Sequence, residues 1–292
     1  MSRVLVTGAD GFTGRYVIEA LSRDGHEAIG TTRREGGPAL VALELSDAEA
    51  VQRALETLRP DAIIHLAAVA FVAHGDLTEM FSANVVGTRN LLAAASAMDA
   101  APRTVLVSSA NVYGNATAGT IAETAPLMPA NEYGISKLCV EHLARIWSPR
   151  LPVVVTRPFN YTGVGQSERF LIPKIVAHYA RRAPRISLGN IEPKRDYSDV
   201  RMVAEVYARL ITAAEPPEVV NIASGHSHSV KDILAIMTEI TGHEIAVEID
   251  PRFVRADEIM ELKGDRRRLD ESLPNLPNIA LKQTLAWMLH SV

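Results

Sequence analysis

With 292 residues, 47% of them hydrophobic and 22% charged, the chain can bury a large core, which excludes a disordered or fibrous protein. A net charge of −4, from 30 basic and 34 acidic residues without a long basic run, argues against a nucleic-acid partner. The single cysteine, Cys139, rules out an intrachain disulfide, and no apolar stretch is long enough to span a bilayer; a cytoplasmic location is expected.

The first predicted strand, Val4–Thr7, runs into a turn with glycines at Gly8, Gly11 and Gly14, and helical patterning follows over Arg15–Ser22. Further strands are expected at Glu27–Thr31, Ala62–Leu66, Thr104–Ser108 and Val153–Thr156, with helices at Ala48–Leu58, Leu77–Met98 and Tyr133–Trp147. This alternation implies an α/β fold, a doubly wound parallel sheet with right-handed crossovers. After Pro158 the rhythm changes: polar, loop-like segments (Asn160–Arg169, Leu188–Asp199) separate helices near Ile172–Arg182 and Val200–Ala214. The expected organisation is a dinucleotide-binding domain over 1–160 with a returning segment near 196–222. A smaller α/β lobe over 161–195 and 223–292 would bind substrate at the carboxyl edge of the sheet.

A strand, a glycine turn and a helix in that order form a dinucleotide fingerprint. The glycines permit the tight turn, the backbone approach to a pyrophosphate and the close packing of helix on strand. Phe12 and Thr13 then open the helix whose N-terminal N–H groups meet the phosphates. The second strand ends in Thr31-Thr32-Arg33-Arg34 instead of an acid. Arg33 and Arg34 suit a 2′-phosphate, so NADP(H) is favoured; Glu35 follows closely and NAD(H) stays possible.

Tyr133 and Lys137 share one helix face, where an ammonium is expected to lower the phenol pKa and ready it for proton exchange with a hydroxyl or carbonyl. Ser109, after the Thr104–Ser108 strand, can hydrogen-bond the same substrate oxygen. His226 and His228 lack acidic partners, so no metal site is expected, and Arg266-Arg267-Arg268 reads as a solvated face.

The ordered set TGADGFTG, His65-Leu66-Ala67-Ala68, Asn84-Val85-Val86-Gly87-Thr88-Arg89-Asn90, SSANVYG, YGISK and Arg157-Pro158-Phe159-Asn160 resembles the extended short-chain dehydrogenase/reductase family over nearly the whole chain. The resemblance implies Ser109, Tyr133 and Lys137 as catalytic groups, with Tyr133, Lys137, Leu66, Ala67 and Ala68 beside the cofactor. Asn84 would order the active-site network, and the family suggests a homodimer through the helices near Leu77–Met98 and Tyr133–Trp147. The family's dehydratases carry an acid two positions after the catalytic Ser/Thr; here Asn111 stands there, and an amide cannot titrate.

The C-terminal half resembles the GDP-mannose branch of the family. That resemblance implies Asn111, Asn160, Lys174, Arg195, Arg255 and Glu258 as substrate-binding residues, with Lys194 a further candidate near the nucleotide. The activity implied is reduction of the C4 ketone of GDP-4-keto-6-deoxy-mannose to GDP-6-deoxy-mannose (GDP-rhamnose). Alternatives are a 4-epimerase or 4-ketoreductase acting on a UDP- or dTDP-sugar, a GDP-mannose 4,6-dehydratase, and a non-catalytic NADP sensor.

Overall fold

Val4, Leu5 and Val6 have no exposed surface, because the strand that carries them is covered on both faces. The computed structural model describes residues 1–33, 40–70, 76–115, 119–253 and 259–292. The first half runs β1 (Arg3–Thr7), α1 (Phe12–Arg23), β2 (Glu27–Thr32), β3 (Leu40–Ala42), α2 (Ala48–Leu58), β4 (Ala62–His65), α3 (Leu77–Phe81), α4 (Gly87–Ser96) and β5 (Arg103–Val107). Then come β6 (Gly119–Ile121), α5 (Glu132–Trp147), β7 (Val153–Pro158), β8 (Asn160–Thr162), α6 (Leu171–Ala180), β9 (Arg185–Leu188) and β10 (Lys194–Asp199). The chain continues through α7 (Val200–Leu210), β11 (Val219–Ile222), β12 (Ser227–Ser229), α8 (Val230–Thr241), β13 (Ala246–Ile249), β14 (Glu261–Gly264), α9 (Arg267–Ser272) and α10 (Leu281–Leu289).

Seven parallel strands form the main sheet in the order β11-β7-β5-β4-β1-β2-β3. All five expected strands are present, joined by the short β3 and by β11, which returns from the second half. One face is packed by α1 and α7 through Val17, Leu21, Val203, Val206 and Tyr207. The other is packed by α2, α4 and α5 through Val51, Leu55, Leu91, Leu92, Val140 and Ala144. The strand order reverses between β1 and β4, the switch point where open α/β sheets bind ligands.

The helix expected over Leu77–Met98 is broken into α3 and α4 by a π turn at Ser82–Val86. Such turns widen the backbone and recur at functional sites. The C-terminal lobe differs more from expectation. β10 is a strand where Leu188–Asp199 reads as a loop, and β8 begins the segment read as a loop from Asn160. With β12, β14 and β6 they make a second, five-stranded sheet. Its polar sequence concealed it: Asp196, Ser198 and Asp199 are buried, and the Asp196 carboxylate accepts from Ser224 N (2.8 Å), Ser224 Oγ (2.7 Å), Gly225 N (2.9 Å) and Gly264 N (3.3 Å). A separate apolar core under α6, α8 and α10 supports this lobe.

Candidate active site

Gly8, just past β1, has φ +69°, and a Cβ there would lie 2.9 Å from Ala67 Cα. At Gly14 a Cβ would meet Gly8 O and Ala9 Cα at 2.5 Å, so helix and strand touch backbone to backbone. Gly11 is the N-cap of α1 and supplies no side-chain cap, which leaves the first N–H groups of α1 for a ligand. The nearest atom to a Cβ on Gly11 would be Gly8 O at 3.2 Å, so the turn keeps an open cradle of the kind a pyrophosphate fills. Ala67 N donates to Thr7 Oγ1 (3.2 Å) and holds the Leu66–Ala68 backbone beside the turn. From the other side, Tyr161 on β8 stacks on Phe12 (centroids 6.1 Å apart) and its hydroxyl bonds Thr13 Oγ1 at 2.9 Å. At the end of β2, Thr32 Oγ1 donates to Asp10 (2.8 Å) and Arg33 pairs with Glu79 (2.7 Å) at an exposed position. Arg34 lies outside the described residues.

Ser109 follows β5 and is buried with Tyr133 and Lys137. Its Oγ accepts from Asn111 N (3.2 Å) and Asn111 Nδ2 (3.0 Å). With both lone pairs engaged, the Ser109 hydroxyl keeps its proton free to donate, and its polarity acts on the neighbouring Tyr133 phenol. Asn131 Nδ2 donates to Asn111 Oδ1 (3.3 Å), while Asn131 Oδ1 caps α5 by accepting from Gly134 N (2.8 Å). One asparagine thus ties the Ser109 turn to the first turn of the Tyr133 helix.

Lys137 corrects one expectation. Its Nζ donates to Val107 O at 2.7 Å and lies 5.9 Å from the Tyr133 ring centroid. The phenol pKa is not lowered: burial raises it, the neighbouring Tyr161 adds to the rise and the Ser109 hydrogen bond opposes it. Burial also brings Lys137 down to about 8, against an upward push from Glu141. Tyr133 is therefore a neutral phenol, the form that can donate a proton.

The π turn buries Asn84, whose Oδ1 accepts from Val69 N (2.8 Å) and whose Nδ2 donates to Val69 O (3.2 Å) and Ser136 Oγ (3.0 Å). His65 bridges Thr7 Oγ1 (2.7 Å) and Thr88 Oγ1 (2.9 Å), and Thr88 donates to Asn84 O (2.6 Å). A chain of polar contacts thereby runs from the glycine turn to the helix of Tyr133. In the sequence His65 stands out only as part of a motif; complete burial holds it neutral, with its pKa brought down to about 3.

In the C-terminal lobe Asn160 is exposed at the start of β8 and donates to Asp196 O at 3.3 Å. Lys174 Nζ donates to Ser187 O (2.7 Å), and Arg195 Nη1 to Ile259 O (2.7 Å) and Lys194 O (2.9 Å). Arg255 and Glu258 lie outside the described residues. Arg267 is exposed as expected, but Arg266 is largely covered and pairs with Asp270 at 2.8 Å. Among the described residues no group of acids, histidines and cysteines could hold a metal ion, and no helix is long and apolar enough to cross a membrane.

Two residues that sequence reasoning left without a role form a buried ion pair behind the site: Arg157 Nη2 lies 2.6 Å from Glu141 Oε2. The signal was available, since Glu141 falls one helical turn after Lys137.

The chain is similar to proteins of matching architecture. Residues 4–223 match the NAD dependent epimerase/dehydratase family. A GDP-6-deoxy-D-talose 4-dehydrogenase from Aggregatibacter actinomycetemcomitans is 34% identical, over 94% of this chain and 92% of that protein. A GDP-6-deoxy-D-mannose reductase from Pseudomonas aeruginosa is 30% identical, over 98% and 96%. The structure of RMD from P. aeruginosa complexed with NADPH superposes with a TM-score of 0.88 at 29% identity, covering 100% and 98% of the two chains. A candidate epimerase from Burkholderia cenocepacia J2315 gives 0.92 at 48% identity, covering 99% and 97%. With its parallel sheet, its glycine cradle and its Ser109–Tyr133–Lys137 set, the chain belongs to the NAD dependent epimerase/dehydratase family and is a nucleotide-sugar-modifying enzyme of the extended short-chain dehydrogenase/reductase type.

Proposed function

We propose that the enzyme is a 4-ketoreductase that converts GDP-4-keto-6-deoxy-mannose to GDP-6-deoxy-mannose with NADPH. A reduced nicotinamide, when bound, supplies the hydride for C4. Ser109 donates a hydrogen bond to the ketone oxygen, Tyr133 transfers its phenolic proton to that oxygen as the C–H bond forms, and Lys137 supplies positive charge beside the phenol as it loses the proton. The observation that carries the reading is Asn111. Elimination of water needs a titrating group at that position, and here a neutral amide is committed to Ser109 at 3.0 Å.

Residues 161–195 and 223–292 form the substrate lobe in this reading. Asn160, Lys174, Arg195, Arg255 and Glu258 would bind the GDP portion, cationic forks meeting the diphosphate and the carboxylate a ribose diol. Gly8, Gly11, Phe12, Thr13, Gly14 and Leu66–Ala68 would cradle the cofactor. Arg33 and Arg34 would take the 2′-phosphate, which offers Arg33 two charges in place of the exposed Glu79. The enzyme is a homodimer in this reading: Val86 on the π turn and Ile135 and Ile146 on α5 are exposed apolar residues on the two helical segments expected to pair.

The test is to mix the protein with NADPH and GDP-4-keto-6-deoxy-mannose and follow absorbance at 340 nm. Stoichiometric consumption is expected; an unchanged absorbance with this ketone, together with interconversion of C4-hydroxyl nucleotide sugars without net cofactor change, would make the enzyme a 4-epimerase. The 34% identical relative favours one second reading, in which hydride arrives on the other face of the sugar and yields the C4 epimer, GDP-6-deoxy-talose. NMR of the product separates the two, because H4 is axial in the manno product and equatorial in the talo product.

A further inference from the structure

The proposed chemistry leaves one buried ion pair unused. The Glu141 and Arg157 side chains are 9% and 6% exposed. Glu141 Oε1 accepts from Ser108 Oγ (2.6 Å) and Arg157 Nε (2.9 Å), and Oε2 accepts from Arg157 Nη2 (2.6 Å). The remaining edge of the guanidinium faces the other way, donating from Nη1 to Tyr113 OH (2.9 Å) and Glu123 O (3.0 Å). Apolar residues of equal volume often replace a buried ion pair without loss of stability, so burial alone does not explain this one. Its position does. Glu141 is four residues beyond Lys137 on α5, and its partner Ser108 directly precedes Ser109.

We propose that Glu141 is a positioning residue for the active-site lysine: its carboxylate, held in place by Arg157 and Ser108, keeps the buried Lys137 side chain in its ammonium form. This rests on the reading of Lys137 as the cation beside Tyr133. Lys137 is almost wholly buried and its hydrogen bond goes to a neutral carbonyl, that of Val107. The titratable groups around it are Tyr133 and Glu141 on its own helix, His65 at the end of β4 and Arg157 on β7. Burial keeps Tyr133 and His65 neutral; the charged neighbours are Glu141, on the same helix as Lys137, and Arg157, whose guanidinium offsets part of the carboxylate's charge. Glu141 is the group that opposes the pull of burial on Lys137.

The experiment is a fluorescence titration of NADPH binding from pH 7 to 10, which needs no sugar substrate; failure of the 4-ketoreductase reading and failure of this proposal are therefore separable. Affinity is expected to fall as Lys137 loses its proton near pH 8, and Lys137→Met should remove that fall; a fall that persists in Lys137→Met overturns the proposal. Glu141→Gln should move the midpoint down by about one pH unit, and Glu141→Asp, which keeps the charge, should stay near the wild type. A folded Glu141→Gln protein whose affinity drops equally at every pH, or whose midpoint does not move, makes the pair merely structural and overturns the proposal. Where Glu141→Gln fails to fold, Glu141→Leu/Arg157→Met is compared with Arg157→Met, so that the carboxylate is the only charge that differs: a lower midpoint in the double variant supports the proposal and an equal one overturns it.

Discussion

β5 and β10 carry candidate site residues from opposite halves of the molecule, Ser109 just past one and Arg195 on the other. In β5, Thr104, Val105 and Leu106 are wholly buried between two helical layers, and each apolar side chain of this kind contributes roughly 1.5–3 kcal/mol by leaving water. In β10 the fully buried residue is a carboxylate. Asp196 reaches Ser224, Gly225 and Gly264, so it joins β10 to β14 and to the turn before β12 through hydrogen bonds that only an ionised side chain can accept together. One sheet is held by a non-directional force, the other by directional contacts around one charge. In the proposed function the first is the platform for the chemistry and the second the surface that holds the substrate.

Substitutions should therefore separate the two regions. The largest effect is expected at Tyr133→Phe, which removes the proton donor but no packing: kcat should fall about 10²- to 10⁴-fold, with KM and the melting temperature nearly unchanged. Retained kcat would remove the acid from the mechanism. Asp196→Ala should do the reverse. It strands several donors in the lobe and should cost about 3–5 kcal/mol there, seen as faster hydrogen exchange over 224–229 and 261–264 and a raised KM, while the main sheet stays protected. If exchange rises equally in β5, the two regions are one cooperative unit and the contrast fails.

A pH effect comes third. The unfolded chain protonates His65 near its ordinary pKa, and the folded protein only near pH 3. Its contribution is thus complete above about pH 6.5 and is lost as the pH falls toward 3. Acidification to pH 4 should cost the wild type roughly 3 kcal/mol more than it costs His65→Gln, checked by denaturant melts at both pH values. Smallest is the cofactor choice. Arg33→Ala should weaken NADPH about tenfold while leaving NADH unchanged, since an exposed charged contact to a phosphate is worth about 1–2 kcal/mol. Equal weakening of both cofactors would detach Arg33 from the 2′-phosphate.

Legibility followed the same division. β1, β4, β5 and β7 are short apolar runs between turns, and a pattern of that kind is visible without coordinates. β10 has the sequence of a loop because its code is a carboxylate whose partners lie 28 to 68 residues away in the chain. The π turn around Asn84 was equally hidden, since nothing in Ser82–Val86 departs from ordinary helical composition. Ser109, Tyr133 and Lys137 were legible as residue types at a spacing. Their electrostatics were not: the sequence placed an ammonium beside a phenol and so suggested a lowered tyrosine pKa, whereas burial, which depends on the whole fold, raises it.

By itself the sequence determined the parallel sheet, the glycine turn, the residue types of the Ser109–Tyr133–Lys137 set and the lack of an acid two positions after Ser109. These are local matters, set by side-chain periodicity, the conformational freedom of glycine and the chemistry of single residues. Tertiary structure alone decided that Asn111 and Asn131 orient Ser109, that Lys137 points at Val107, that Glu141 and Arg157 are buried together and that Asp196 builds the second sheet. Each of these depends on which groups lose water in company, and that is a property of the packed chain.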